Sequence, residues 1–157
     1  MTFRVALVAP EELHDLRRRV LRGNSPSADV GDPRDHEAEA MHLAGFLDDR
    51  LVCCASVYPS TSPLHPDLAT YQLRYVATDV DVQGQGWGAA LMAALEDLVR
   101  DQGAVELWAN GRDTALGFYR RLGWEGIPGS EHLSPYTNLP HTVIWKTLTA
   151  PAADSIR

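Results

Sequence analysis

The stretch Gln83-Gly84-Gln85-Gly86-Trp87-Gly88-Ala89-Ala90-Leu91 decides how this chain is read. Before it lies Tyr71 to Thr78, a run of aromatic and β-branched residues that reads as a strand. After it Leu91, Met92, Leu95, Leu98 and Val99 recur at helical spacing, so Ala89 to Gln102 reads as a helix that Gly103 ends. The glycines let the backbone between strand and helix approach a ligand closely and take angles closed to other residues. The first N–H groups of a helix have no partner within it and point outward at the positive end of the dipole. A glycine turn there is an anion site, and a pyrophosphate fits it without a lysine.

Three other readings of the turn are weaker. A turn with no ligand would place three glycines at the mouth of a good helix, at a cost in stability and with no return. A P-loop needs Gly-Lys-Ser/Thr, where this chain has Gly88-Ala89-Ala90. A dinucleotide fingerprint is met by Gly84-x-Gly86-x-x-Ala89, with Glu106 about twenty residues on. Against it, the turn lies mid-chain and only one crossover helix follows before the sheet turns antiparallel, whereas a dinucleotide fold needs several more β-α units.

Outward from the turn, Phe3 to Val8 reads as a strand. A helix opens at Pro10, carries Leu13, Leu16, Val20 and Leu21 on one face, and stops at Gly23. Asn24 to Asp35 is loop; Met41 to Leu47 and Leu51 to Tyr58 are strands joined by a tight turn at Asp48-Asp49-Arg50; Pro59 to Ala69 is a proline-bearing surface loop. Val105 to Ala109 is a strand, Asp113 to Leu122 a helix ended by Gly123, and Trp124 to Ile127 and His141 to Leu148 are strands. The order β-α-β-β-β-α-β-α-β-β predicts an α/β fold, α+β-like, with a central mixed sheet flanked by helices. Residues 1–150 are expected to form a single domain and 151–157 a C-terminal tail.

Bulk composition narrows the function. With 14 Lys+Arg against 21 Asp+Glu the net charge is −7, a poor fit to a nucleic-acid binder or a polybasic membrane-surface protein and a better one to a cationic partner. No apolar run reaches the roughly 18 residues a membrane span needs, and Met1 to Val5 holds no signal core, so a cytoplasmic protein is expected. Cys53 and Cys54 are neighbours that would face opposite sides of a strand, which predicts free thiols. No metal is expected: the histidines are scattered, and His36-Glu37-Ala38-Glu39-Ala40 lacks the second histidine of the zinc motif. No Gly-x-Ser-x-Gly elbow is present.

Arg74-Tyr75-Val76-Ala77-Thr78 together with Gln83 to Gly88 resembles the acetyl-CoA motif of the GCN5-related N-acetyltransferase (GNAT) family. Ala115-Leu116-Gly117-Phe118-Tyr119-Arg120-Arg121-Leu122-Gly123-Trp124 resembles that family's second signature, at the expected distance. The resemblance covers about residues 3 to 148 and is sharpest from 73 to 124. It implies acetyl-CoA as cosubstrate and direct attack by an amine in a ternary complex. On this pattern Val76, Ala77 and Thr78 would pair with the pantetheine arm, and the Thr78 N–H would polarise the thioester carbonyl. The backbone of Gln85, Gly86, Trp87, Gly88 and Ala89, after Gln83 and Gly84, would hold the pyrophosphate. Gln83 stands where arginine is commoner. Tyr119 matches the general acid that protonates the departing thiolate. The family's pantetheine-binding asparagine is replaced by Arg112, which leaves Arg112 or Asn110 to take that contact.

The general base stays open among Glu106, Glu131, His132 and His141, with His141 placed beside the acceptor by its family counterpart. The acceptor is an amine, small molecule or peptide, approached through loops whose acids (Asp29, Asp32, Asp35, Asp67, Glu131) suit a cation. Late strands of this fold often pair between subunits, which puts a homodimer within its reach. The alternative function is a non-catalytic acyl-CoA sensor on the same fold.

Overall fold

The structure is a computed structural model that describes residues 1–148. The expected tail, 151–157, lies outside them. Backbone contacts sort the chain into two compact units: Met1–Pro59 with Leu73–Leu95, and Ser60–Gln72 with the residues from Glu96 onward. Among the described residues no helix is long and apolar enough to cross a membrane.

β1 (Phe3–Leu7), β2 (Met41–Leu47), β3 (Arg50–Pro59) and β4 (Thr70–Thr78, in the first unit from Leu73 on) follow one another in the sheet. β1/β2 and β2/β3 are antiparallel. Asp48 takes the left-handed conformation (φ 52°) that the two-residue hairpin requires, and that aspartate tolerates. A 3-10 turn at Pro10–Leu13 runs into α1 (His14–Leu21), and Glu12 Oε2 accepts the Ala9 N–H at 3.1 Å. Leu13 and Leu16 of this segment bury against Ala44, Cys54 and Ala77, with Val20 and Leu21 packed beside them, as the helical spacing predicts. Cys54 therefore faces α1. Cys53 faces the other way, beside Gly45, where any Cβ would run into the Cys53 sulfur and the Phe3 ring. Both thiols are free, and burial pushes each up to about 12, so they are packing groups.

The polar centre of this unit is Arg17. It stands in α1 beside Arg18 and Arg19, where a basic residue is ordinarily solvated, yet only 1% of its side chain is exposed. Its Nη1 donates to the Val30 carbonyl (2.8 Å) and Asp35 Oδ2 (3.2 Å), and its Nη2 to Ser56 Oγ (2.8 Å). Ser56 Oγ lies 2.7 Å from His42 Nδ1, and His42 Nε2 donates to the Asp35 carbonyl at 2.8 Å. The Tyr58 hydroxyl donates to Asp35 Oδ1 at 2.5 Å. Beside this cluster, buried Asp32 accepts from Arg34 Nε (3.1 Å), Arg74 Nη1 (2.7 Å) and the Tyr75 hydroxyl (3.1 Å). The loop before β2 is thus nailed to α1, β3 and β4 by charge-assisted bonds rather than by apolar packing.

α2 spans Trp87–Asp101, two residues earlier than the sequence suggests, because Trp87 and Gly88 already turn helically. It buries Leu91, Met92, Leu95 and Val99, while Leu98 stays half-buried. In the second unit β5 (Glu106–Arg112) pairs antiparallel with β8 (Pro140–Thr147), and α3 (Leu116–Arg121) follows a 3-10 turn at Asp113–Ala115. The strand expected at Trp124–Ile127 shortens to β6, Glu125–Gly126. A further two-residue strand, β7 (His132–Leu133), lies inside the Pro/Gly/Ser segment that the sequence leaves as loop; β6 and β7 both pair antiparallel with β8. A two-residue strand carries no alternation from which it could be read. The fold class is mixed α/β with mostly antiparallel strand pairing.

Two outcomes test the polar centre. Arg17→Met should cost about 3–5 kcal/mol in urea unfolding, because it strands the Asp35 carboxylate in the interior; a loss below about 1 kcal/mol would show the cluster to be dispensable. Burial alone would raise the Asp32 carboxyl, but the hydrogen bonds and charges of Arg34 and Arg74 overcome it and bring the group from 3.8 to about 2. A carboxyl depressed on folding stabilises above its unfolded value and loses that contribution as pH falls through the folded one. The melting temperature should therefore drop between about pH 4 and pH 2, and Asp32→Asn should flatten that slope.

Candidate functional site

The glycine turn has the geometry its sequence implies. Gly84 (φ 79°) and Gly86 (φ 91°) adopt backbone angles that L side chains rarely take, and nothing lies within 4 Å of where a Cβ would stand on either. The surface over them is open. The Ala90 N–H bonds to the Gly86 carbonyl (3.1 Å), so the N–H groups at the head of α2 have no acceptor within the helix. Gln83 turns back, and its Nε2 donates to the Thr78 carbonyl at 2.9 Å, closing the turn onto the end of β4. The Trp87 indole leans away from the glycines: it stacks on Phe3 (centroids 4.9 Å apart, 21° between planes) and donates from Nε1 to Gln85 Oε1 at 3.1 Å. Trp87 is thereby fixed to β1 and to the turn by its side chain.

Between Thr78 and the turn, Asp79 accepts from Arg19 Nη1 (2.8 Å) and from the Val80 N–H (3.0 Å), with Arg50 Nη2 at 3.3 Å. The Arg19 hydrogen bond holds the Asp79 carboxyl below its ordinary range, with Arg50 adding to the effect. Val76, Ala77 and Thr78 directly follow Tyr75, a strand residue in the left-handed region (φ 57°). A tyrosine adopts that angle only when its surroundings insist. Here the Arg17 and Arg74 guanidinium groups stack on its ring at 4.1 and 4.5 Å, Asp32 Oδ2 accepts a hydrogen bond from its hydroxyl, and Cys54 Sγ lies 3.4 Å from its carbonyl. This left-handed residue stands immediately ahead of the three residues expected to meet the pantetheine.

The remaining expected residues belong to the second unit. Asn110 is exposed and Arg112 half-buried on β5, where Arg112 pairs in register with His141 and Asn110 with Val143. His141 Nδ1 donates to the Leu139 carbonyl (2.8 Å), and its ring lies 6.0 Å from that of His132. Tyr119 on α3 is buried edge-on between Phe118 and Trp124 (5.2 and 5.4 Å). Burial pushes its phenol above the ordinary tyrosine value. The structure gives its hydroxyl no hydrogen-bond partner among the described residues, so the proton is kept and the donor is uncommitted.

Two sites differ from the sequence reading. The loop acids Asp32 and Asp35 are buried and satisfied by arginines, so neither is free to meet a cationic acceptor. Glu106, one of the candidates for the general base, is not an open carboxylate: it is 1% exposed and bonded to His65 Nδ1. His65 lies in a proline-bearing loop whose spacing carries no pattern, so nothing in the sequence marks it.

Three comparisons bear on identity. The sequence profile of the acetyltransferase (GNAT) family matches residues 10–124. The chain is 29% identical over 144 residues to the uncharacterised N-acetyltransferase YitI of Bacillus subtilis (strain 168), covering 92% of this chain and 95% of that protein. Among solved structures, a Lactobacillus plantarum protein crystallised as a candidate N-acetyltransferase matches with TM-score 0.77 at 20% identity, over 95% of this chain and 100% of its own. An aminoglycoside 6'-N-acetyltransferase complexed with coenzyme A matches with TM-score 0.69 at 15% identity, over 94% and 98%. At those identities the two structures establish the fold, and the profile, which spans most of the chain, establishes the family. The chain therefore belongs to the acetyltransferase (GNAT) family and is an acyltransferase.

Proposed function

We propose that the protein transfers an acetyl group from acetyl-CoA to a primary amine, on a small molecule or a peptide, by direct attack in a ternary complex. The observation that carries this is the turn at Gly84 and Gly86, whose left-handed angles and open surface bare the head of α2 to an anion. The CoA complex of the aminoglycoside acetyltransferase, a protein of the same fold, supports the choice of anion. Residues 1–150 then act as one acetyltransferase domain, working in the cytoplasm.

The roles follow the chemistry. The backbone of Gln85 to Ala89 holds the pyrophosphate, with Gln83 and Gly84 shaping the loop. Val76, Ala77 and Thr78 pair with the pantetheine, and the Thr78 N–H faces the thioester carbonyl, where negative charge develops. Asn110 or Arg112 takes the amide end of the arm, and His141 borders the acceptor. The amine forms the C–N bond, the C–S pair leaves on sulfur, and Tyr119 gives the thiolate its proton. A phenol held protonated by burial suits that task.

Three outcomes follow. Acetyl-CoA and CoA at a hundred times their dissociation constants should each raise folding stability by about 2.7 kcal/mol in a thermal melt, and NADH should not. A rise with NADH alone would replace this reading with a dinucleotide site. Gly86→Ala, forced out of φ 91°, should weaken acetyl-CoA binding about tenfold or more by calorimetry; unchanged affinity would remove the turn from the site. Tyr119→Phe should keep acetyl-CoA affinity and lower kcat about 100-fold or more across an amine screen. A wild-type protein that binds acetyl-CoA yet acetylates no amine would be a sensor.

A further inference from the structure

Between the end of β4 and the head of α2 the chain has little packing to hold it. Of residues 80–86 only Val82 is buried, and Val80 is 69% exposed. A stretch that buries so little apolar surface ordinarily opens and closes with little resistance. Yet this is the stretch that carries the glycine turn away from Thr78, and the angles at Gly84 and Gly86 serve a ligand best where the turn is held still. Polar bonds do the holding, and they converge on Asp79, in the first unit.

Every polar group of Asp79 is engaged. Its N–H donates to the Val52 carbonyl (2.7 Å), and its carbonyl accepts from the Val82 N–H (3.0 Å). Oδ1 accepts from the Val80 N–H and from Arg19 Nη1, and Oδ2 lies 3.3 Å from Arg50 Nη2. The carboxylate caps the 3-10 turn Val80–Val82 and is 12% exposed, whereas the two guanidinium groups reach it from the surface. A second acid steadies each of them: Asp15 Oδ2 accepts from Arg19 Nε (2.9 Å), and Asp81 Oδ1 from Arg50 Nη2 (2.6 Å). Exposed ion pairs taken singly add little. Here three elements grip one residue: α1 through Arg19, the β2/β3 hairpin through Arg50, and β3 through Val52. The far end of the bridge is closed by Gln83, whose Nε2 donates to the Thr78 carbonyl (2.9 Å).

The bridge so held has Thr78 at one end and Gly84 and Gly86 at the other. On the acetyl-CoA reading, on which this inference rests, those ends meet two distant parts of one molecule, the thioester and the pyrophosphate. We infer that Asp79 is a positioning residue for acetyl-CoA: it fixes the spacing between these two contacts and makes neither. Two contacts to one ligand reinforce each other when the protein holds them at the ligand's own spacing. Where the bridge between them is loose, making the second contact must also order the chain, and part of the affinity is lost. Removing Asp79 therefore weakens a ligand that spans both ends and spares one that reaches a single end.

The test needs no acceptor. Acetyl-CoA and adenosine 3'-phosphate 5'-diphosphate, the nucleotide end of CoA, are each titrated into the full chain by calorimetry. Asp79→Ala should weaken acetyl-CoA about tenfold or more and leave the nucleotide within about twofold, because the nucleotide reaches the glycine turn alone. Asp79→Asn keeps an oxygen for the Val80 N–H and gives up the charge in both ion pairs, and it should show a smaller split of the same sign. So should Arg19→Met, which leaves Asp79 itself in place; these two variants carry the comparison if Asp79→Ala does not fold. A merely structural role would lower both affinities in step, and that result, like an unchanged acetyl-CoA affinity, overturns the inference. A wild type that binds neither ligand overturns instead the acetyl-CoA reading beneath it.

Discussion

The buried guanidinium of Arg17 is the constraint on which the first unit depends. It joins α1 to the loop before β2 through Val30 and Asp35, to β3 through Ser56, and to β4 by stacking on Tyr75. A charge taken from water at this depth needs hydrogen bonds to offset the loss. Both terminal nitrogens have them, and Nε has none. What the cluster secures in return is geometric. Tyr75, three residues ahead of Thr78, is held at φ 57° by contacts on its ring, hydroxyl and carbonyl at once. An apolar core could have filled the same volume more cheaply, but it could not have specified that one backbone angle from three directions.

Much of this scaffold is legible in the sequence, and the illegible parts share a cause. Helical spacing at Leu13, Leu16, Val20 and Leu21 and at Leu91, Met92, Leu95 and Val99 gives the buried faces, and the positive angles at Gly84 and Gly86 agree with the reading of the turn. These are local signals: a residue's type and its neighbours suffice. Arg17 defeats a local reading because a basic residue near a helix end is ordinarily solvated. Asp32 and Asp35 defeat it because an acid-rich loop ordinarily is too. Their burial depends, Arg34 apart, on partners 18 to 43 residues away in the chain, a separation that no spacing rule reaches. β7 was missed for a different reason, being two residues long.

The same contrast marks the candidate site. The glycines and Tyr119 stand in short motifs that carry a mechanism, so sequence alone brings them forward as candidates. His65 and Glu106 are 41 residues apart and meet only because the loop before β4 folds over the start of β5. Each alone is unremarked: a histidine between prolines and a carboxylate opening a strand. Burial turns the second into a group that needs a partner, and the fixed loop supplies one.

Charge therefore has three fates in this chain, and they differ in what they leave for a substrate. At Asp32, Asp35 and Asp79 it is consumed internally by arginines, so the net charge of −7 overstates the field these loops offer a cation. At Tyr119 burial keeps a proton in place on a group with no competing bond. At Glu106 burial strands an oxygen and leans the other on an imidazole whose far nitrogen is open. Tyr119 thus lies in an aromatic slot beside Trp124, and the His65 imidazole stands edge-on to Trp145, so the two groups would meet a ligand from different surroundings.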